Sequence, residues 1–118
     1  MTYVDGFLAP ILAGTTLEAY KAFAEKAAAI FRSHGATRVV EGWGDNVPEG
    51  TLTDFRRAVL ATEGETVVFS WVEWPDKATR DAGMKKVMED PRMQPGAEPM
   101  PFDVKRLIFG GFVAIVDA

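Results

Sequence analysis

The sequence predicts an α+β fold in which an antiparallel sheet carries two helices on one of its faces. Two observations lead to this prediction. Strand-like and helix-like patterns follow one another in the order βαββαβ, and the two crossovers are each about thirty residues long, as in paired βαβ units. A chain of 118 residues has room for one hydrophobic core, so we expect a single domain over residues 1–118.

The first strand and the first helix come from the amino-terminal third of the chain. Tyr3 to Leu12 is rich in aromatic and β-branched residues, and Pro10 places the end of this strand near an edge or a bulge. Thr15 and Glu18 have the spacing of a capping box, after which apolar residues recur at helical spacing. His34 ends this helix, where a cation would complement the helix dipole.

Two further strands follow the first helix. Ala36 to Trp43 alternates in the manner of a strand, and the next seven residues are rich in turn formers, which predicts a long loop. The segment from Leu52 to Ala61 fits either a short helical turn or an extended stretch leading to a strand. Glu65 to Trp74 is the strongest strand pattern in the chain.

The carboxyl-terminal third supplies the second helix and the last strand. Asp76 is placed to cap a helix that reaches about Asp90. Pro91 and the residues 94–99 break regular structure, and Lys105 to Val116 forms the last strand. The complete order is that of a ferredoxin-like sheet with both helices on one face.

The other face of such a sheet should be polar, yet both faces of the strands are apolar. In the strands over 65–74 and 105–116, Val, Ile, Leu, Phe and Trp occupy alternate positions on either side. Leaving one such face in water costs on the order of 25 cal/mol per Å². We therefore expect a homodimer, the alternative being a monomer whose long loops fold across the sheet.

Composition excludes several classes of function. The chain has no cysteine and one histidine, so it lacks disulfides, cysteine-zinc sites and multi-histidine metal sites, and we expect neither a metal nor a cofactor. Its net charge of −4 disfavours nucleic acid. No basic segment precedes an apolar one at the amino terminus, and the longest apolar run, 107–116, is about half the length of a membrane span. We expect a cytoplasmic protein without a membrane partner.

Charged residues within apolar strands are the strongest candidates for a site, because a buried charge must be paired or used. Asp5, Glu41, Glu73 and Arg106 fall in predicted strands. In a functional interpretation, Asp5 or Glu73 acts as a general base or anchors a ligand, while Arg106 holds an anion and Glu41 contributes to binding. In the alternative interpretation these residues form structural ion pairs or lie at exposed strand ends.

Three further features suggest binding. Arg56 and Arg57 could grip a carboxylate or phosphate, or could be a solvated pair. Asp103, with the basic pair that follows it, could close the mouth of a pocket, or serve turn chemistry and edge protection. Trp43, Trp71 and Trp74 could form an aromatic wall for a planar ligand, although large aromatic residues on strands are more often core or dimer interface.

Five segments of the chain together resemble the YbaA-like family of small bacterial proteins. They are Tyr3–Phe7, Asp45–Pro48, Phe55–Val59, Glu65–Trp71 and Met100–Arg106. The resemblance runs nearly end to end and implies a dimeric α/β-barrel fold, in a family without an established activity. The sequence departs from the family pattern at Val104, where we expect Gly, and at Phe109, where we expect Tyr; the second departure argues against a role for a phenol there.

These observations favour a homodimeric protein that binds a small molecule in a pocket between sheet and helices. The alternative is a cofactor-free enzyme of the oxygenase or isomerase type, acting on a small aromatic or carboxylated metabolite. It would use Asp5 or Glu73 as base and Arg106 or Arg56 as anchor, an assignment that rests on analogy between folds. An RNA-associated protein is the least favoured reading, because the chain is acidic.

Overall fold

Four strands form one antiparallel sheet in the order β2-β3-β1-β4. The computed structural model describes residues 1–94, 96 and 99–118. The strands are β1 (Tyr3–Ile11), β2 (Arg38–Trp43), β3 (Thr66–Trp74) and β4 (Ile108–Val113). The helices are α1 (Leu17–Ser33), α2 (Phe55–Ala58) and α3 (Lys77–Glu89), and a short 3-10 turn follows at Pro91–Met93. The predicted α+β class is confirmed, with three helices in the described residues instead of two.

The long helices begin at side-chain caps. Asp76 caps α3 as predicted, because its carboxylate accepts a hydrogen bond of 2.7 Å from the Thr79 backbone N–H. The predicted cap of α1 is wrong by one residue. Thr16, not Thr15, has the extended backbone of an N-cap, and its hydroxyl accepts from the Ala19 backbone N–H at 3.1 Å. At the other end of α1, the ring of His34 lies 2.8 Å from the carboxylate of Asp90.

Two strands are shorter than predicted. β2 begins at Arg38 because the Ala36 N–H is bound to the Phe31 carbonyl at the end of α1. The last strand covers Ile108–Val113, not 105–116, because the backbone N–H groups of Arg106 and Leu107 bond back to Asp103 in a turn. Arg106 therefore precedes β4 instead of lying within it.

The structure distinguishes the two alternatives for the segment from Leu52 to Ala61, which contains a helical turn, α2. Pro10 lies in central strand β1, but beyond Leu8, where the pairing with β4 ends, so a missing N–H is tolerated there. Of the predicted break at 94–99, residues 95, 97 and 98 lie outside the described part of the chain.

The hydrophobic core lies between the sheet and the helices α1 and α3. Alternate side chains of β1 and β3 point into it, and apolar side chains of both helices meet them. The most buried members are Ala9, Ile11, Tyr20, Ala24, Val68, Val72, Trp74 and Val87. The molecule is consequently a flat slab of two layers, with principal extents of 39 × 36 × 22 Å.

A buried ion pair joins α3 to the centre of the sheet. The Asp5 carboxylate, 2% exposed, receives hydrogen bonds from Arg80 at 2.7 and 3.0 Å and from the Trp74 indole at 2.9 Å. The Arg80 guanidinium also lies 5.0 Å from the centre of the Tyr3 ring. Neighbouring Gly111 on β4 leaves room for this arrangement, since a Cβ there would lie 2.9 Å from the guanidinium.

The opposite face of the sheet, which we call the helix-free face, is apolar. Its side chains come from alternate positions of β1, β3 and β4: Val4, Leu8, Val67, Phe69, Trp71, Ile108 and Phe112. The loop containing α2 covers one end of it, where Val59 packs on Leu8 and Val67. The remainder is open, with Phe69 48% and Phe112 64% exposed.

Among residues 1–94, 96 and 99–118, no helix combines the length and the apolar character that crossing a membrane requires.

Replacing Arg80 by Ala should leave the Asp5 carboxylate buried without its cation. Breaking a buried pair from one side costs about 3–5 kcal/mol, and the partial exposure of Arg80 places the expected loss in the free energy of unfolding near the lower value. Urea unfolding followed by circular dichroism at pH 7 measures it. The control is Lys77→Ala, which removes the solvent-exposed pair with Asp81 and should change little. Equal stability of the two variants would show that the Asp5 pair does not hold α3.

Candidate functional site

The structure does not bring the predicted site residues together in one pocket. Asp5 points towards the helices and is held by Arg80. Asp5 pairs with Val72 across the sheet, so Glu73, the next residue of β3, lies on the helix-free face. Arg106 lies in the turn before β4. Sites that need Asp5, Glu73 and Arg106 in a common cavity are therefore not formed within this chain.

The predicted arginine anchors are bound to the protein itself. Arg106 makes a bidentate pair with the Glu65 carboxylate at 2.7 and 2.8 Å, and a further bond of 2.9 Å to Asp103. Arg56 donates to the carbonyl oxygens of Glu65 and Thr62 at 2.7 and 2.9 Å. These contacts tie the segments before β3 and β4 together and leave few free donors for an anion.

The hydrogen bonds of Arg106 and of the Thr62 backbone lower the pKa of Glu65 from 4.5 to about 2. Arg106 likewise lowers the pKa of Asp103. Neither carboxylate is suited to accept a proton near neutral pH.

Glu73 and Trp71 are neighbours on the helix-free face. The Trp71 indole donates to the Glu73 carboxylate at 2.9 Å, and Arg38 lies 3.5 Å from the same oxygen. Trp71 also packs on Phe69, with ring centres 5.8 Å apart. Both predicted residues thus belong to the open apolar face and its rim, not to a pocket between sheet and helices.

Two of the predicted residues, Glu41 and Trp43, line a groove between sheet and helix. Glu41 faces α1 from edge strand β2, and the Tyr20 hydroxyl donates a hydrogen bond of 2.7 Å to its Oε1. Unlike Asp5, Glu73 and Asp103, Glu41 forms no ion pair with any lysine or arginine in the described ranges.

The groove around Glu41, which we call the α1–β2 groove, has a volume of about 350 Å³. This lies at the lower end of the range of roughly 300–1,000 Å³ that small-molecule pockets cover. Its walls are largely apolar, with charged groups at the rim. The lining residues are Leu17, Tyr20, Lys21, Ala24, Glu25, Ala28, Val39, Glu41 and Trp43.

Burial and the hydrogen bond between Tyr20 and Glu41 shift both groups. Burial, the neighbouring carboxylate charge and the hydrogen bond all raise the pKa of Tyr20 above its ordinary 10.0, so the phenol keeps its proton as a donor. Partial burial raises the pKa of Glu41 above 4.5, and the bond from Tyr20 opposes that rise. Because one side of Glu41 remains exposed, its carboxylate stays accessible to a ligand.

The partners that decide these roles lie far apart in the sequence. Helical spacing places Tyr20 on the apolar face of α1, but a phenol in a core needs a hydrogen-bond partner, which is a usable sequence signal for its bond to Glu41. Arg80 and Glu65 carry no local pattern that links them to Asp5 and Arg106, from which 75 and 41 residues separate them.

Comparison with known proteins identifies relatives over nearly the whole chain. A model of the family DUF1428, described as protein of unknown function, matches residues 2–104. The chain is 53% identical over 117 residues to "Uncharacterized protein YbaA" of Escherichia coli, with 99% of each chain covered. The protein of the same description from Shigella flexneri matches to the same extent. The resemblance carried by the five sequence segments is confirmed.

The Glu65 pair predicts a characteristic acid dependence of stability. A carboxylate with a lowered pKa stabilises the folded state fully above its ordinary pKa of 4.5, and this contribution is lost as the pH falls towards about 2. Replacing Arg106 by Gln should therefore destabilise the protein most near pH 7, and the difference from the unsubstituted chain should shrink between pH 5 and pH 2. Urea unfolding at a series of pH values, at one protein concentration, measures this difference.

Lys105→Gln is the matched control, because Lys105 is exposed and its side chain forms no ion pair with a described residue. It should cause little destabilisation at any of these pH values. A loss in Arg106→Gln that is constant from pH 7 to pH 2 would contradict the role of the pair.

Proposed function

The chain belongs to the DUF1428 family of proteins of unknown function, and from that premise we propose that it is a homodimer that binds a small molecule in the α1–β2 groove of each subunit. The family supplies no reaction. The proposal therefore rests on the contacts of this chain.

The observation that carries the binding proposal is the Glu41 carboxylate. It lies in an apolar groove and is held by a phenol, whereas the carboxylates of Asp5 and Glu65 are neutralised by arginines. A convergent polar group among apolar walls is what a small ligand needs for orientation and affinity. The groove also lies between sheet and helix, the position expected of the binding pocket.

The enzyme alternative receives less support. Asp5 is buried beneath Arg80 and Trp74, so a substrate has no access to its carboxylate. Glu73 accepts from Trp71 and Arg38 on a face that the proposed dimer would cover. Binding through Glu41 requires neither residue.

The strand order supports a ferredoxin-like arrangement of the subunit. β1 and β3 are the central strands, β2 and β4 the edges, and the long helices α1 and α3 cross on the same side. Such a subunit has one bare sheet face, and packing two bare faces together would give a dimeric α/β barrel.

The apolar character of the helix-free face supports a second copy of the chain as its cover. A soluble monomer rarely exposes a contiguous apolar patch of more than a few hundred Å². Ile108 and Phe112, the β4 side chains on this face, are 46% and 64% exposed, and the tail beyond β4 exposes Ile115 and Val116. The hollow of about 730 Å³ on this face would be filled by partner side chains.

The strands of this face supply part of a dimer interface. Four strands of at least six residues present roughly 20 × 20 Å, which is about half of the ~800 Å² that each partner contributes to a standard interface. The exposed side chain of Phe55, which packs on Phe69 with ring centres 6.0 Å apart, extends the same surface. Arg38 and Glu73 provide a charged rim of both signs.

We expect the chain to have a solution mass twice its 12.9 kDa at micromolar concentration, and Phe112→Lys to convert it to monomer. Phe112 is largely exposed within one subunit, so a lysine there disturbs an intermolecular contact and not the core. Size-exclusion chromatography with light scattering measures the mass. Met88→Lys, which alters an exposed residue of α3 on the opposite side of the sheet, is the control and should stay dimeric. A 12.9 kDa species from the unsubstituted chain would refute the dimer.

Ligand binding in the α1–β2 groove is tested by nuclear magnetic resonance with a fragment library of small amines, alcohols, acids and aromatic compounds. Fragments that bind should shift the indole signal of Trp43, while the indole signals of Trp71 and Trp74, engaged with Glu73 and Asp5, should remain in place. Glu41→Gln should weaken the polar hits by about tenfold or more, the value of a hydrogen bond to a charged group.

Glu63→Gln provides the matched control, since Glu63 is an exposed loop residue outside the groove. Hits that bind Glu41→Gln and Glu63→Gln with equal affinity would contradict the role of Glu41. Failure of every fragment to shift Trp43 would contradict binding in this groove.

A further inference from the structure

We propose that the ligand of the α1–β2 groove is a small organic cation, an ammonium compound that the Glu41 carboxylate pairs with and the Trp43 ring covers. This inference rests on the proposed function, because it presupposes that the groove binds a small molecule. It adds the charge and the shape of that molecule.

The charges at the groove favour a cation. Glu41 and Glu25 both line the groove, and Lys21 is the one basic residue among the lining residues. The Tyr20 hydroxyl could otherwise donate a hydrogen bond to an anion, but it already donates to Glu41. An anion in the groove would lie near two carboxylates and only one amine, so repulsion would outweigh attraction. A cation instead completes the ion pair that Glu41 lacks within the described chain.

The hydrogen bond from Tyr20 also leaves Glu41 able to accept a second donor. Tyr20 binds Oε1, and no described residue donates to Oε2. The free oxygen can therefore pair with the charge of an ammonium ion, and accept from any N–H group that the ion carries, without displacing the phenol. Tyr20 thereby fixes the direction in which the carboxylate faces the groove.

An aromatic ring stands beside this carboxylate. Glu41 and Trp43 are two residues apart on an edge strand, so their side chains project from the same face of β2 as neighbours. The Trp43 ring is held against Tyr20, with ring centres 5.8 Å apart and planes at 45°, and it remains partly exposed. A cation near the face of tryptophan gains about 0.5–2 kcal/mol, more where water is excluded.

The helix wall sets the size of the ligand. Ala24 and Ala28 line the groove on α1, and their small side chains leave the space between α1 and β2 unfilled. With about 350 Å³ and apolar walls, the groove suits an alkylated or aryl-substituted ammonium better than a strongly hydrated metal ion.

Three probes of nearly equal shape test the charge: choline, its neutral isostere 3,3-dimethylbutan-1-ol, and the anion 3,3-dimethylbutanoate. Each is titrated into the isotopically labelled full chain, with sodium chloride added to equalise ionic strength, up to tens of millimolar. The backbone amides of Ala24 and Ala28 and the Trp43 indole report binding. We expect choline to bind at least tenfold more tightly than the other two.

Two variants locate the interaction. Glu41→Gln should remove the preference for choline over the neutral alcohol, and Trp43→Leu should weaken choline about three- to tenfold, as the loss of a cation–π contact implies. Glu63→Gln should bind choline like the unsubstituted chain. Unchanged indole signals of Trp71 and Trp74 show in each case that the fold is intact.

The outcomes separate this inference from the proposal on which it rests. Equal or tighter binding of the alcohol or of the anion in the groove overturns the cationic ligand and leaves groove binding standing. Absence of binding by all three probes, with hits from the fragment library still shifting Trp43, also overturns the cation. Loss of both kinds of binding overturns the proposed function itself.

Discussion

One constraint governs this molecule: both long helices lie on one side of a sheet that is apolar on both sides. The helices cover the central strands on the face that carries Val68, Val72 and Trp74, but they leave Phe69 and Phe112 on the other face without cover. The loop with α2 relieves the problem only at one end, through Val59. Because hydrophobic burial is the main favourable contribution to folding, the exposed apolar side chains of the helix-free face favour a partner that covers them. The proposed homodimer follows from this, since both long helices lie on the other face.

Most charges that appear in the strands are used to fasten elements together. Arg80 binds Asp5 and joins α3 to β1, while Arg106 binds Glu65 and joins the segments that precede β3 and β4. A buried carboxylate with an arginine partner is neutralised and fixed, and no candidate buried side-chain polar atom in the described residues lacks a hydrogen bond. Glu41 differs because its partner is a neutral phenol. Its exposure and its uncharged partner together distinguish Glu41, which can meet a ligand, from the buried carboxylates that arginines hold.

The sequence predicted the existence and order of the regular elements well, since hydrophobic periodicity and caps such as Asp76 are local signals. It placed boundaries less well. The length of the last strand depended on the turn at Asp103, and the cap of α1 on a choice between two adjacent threonines. For the site, Glu41 could be singled out as a charge in a strand, but its isolation from arginines depends on how β2 lies against α1. Contacts between distant segments leave no pattern in one sequence.

The alternation of a β-strand allows the two proposed interactions to coexist. Glu41 and Trp43 face the helix side of β2, whereas Val40, which pairs with Trp71, and Gly42, which pairs with Phe69, face the other side. A ligand in the α1–β2 groove and a partner on the helix-free face would therefore touch opposite surfaces of one strand without competing for space. In the described sheet, β2 is an edge strand that is hydrogen-bonded only to β3. A small shift of β2 would therefore change both the α1–β2 groove and the helix-free face. Only the thickness of one sheet would therefore lie between a ligand in the α1–β2 groove and a partner on the helix-free face.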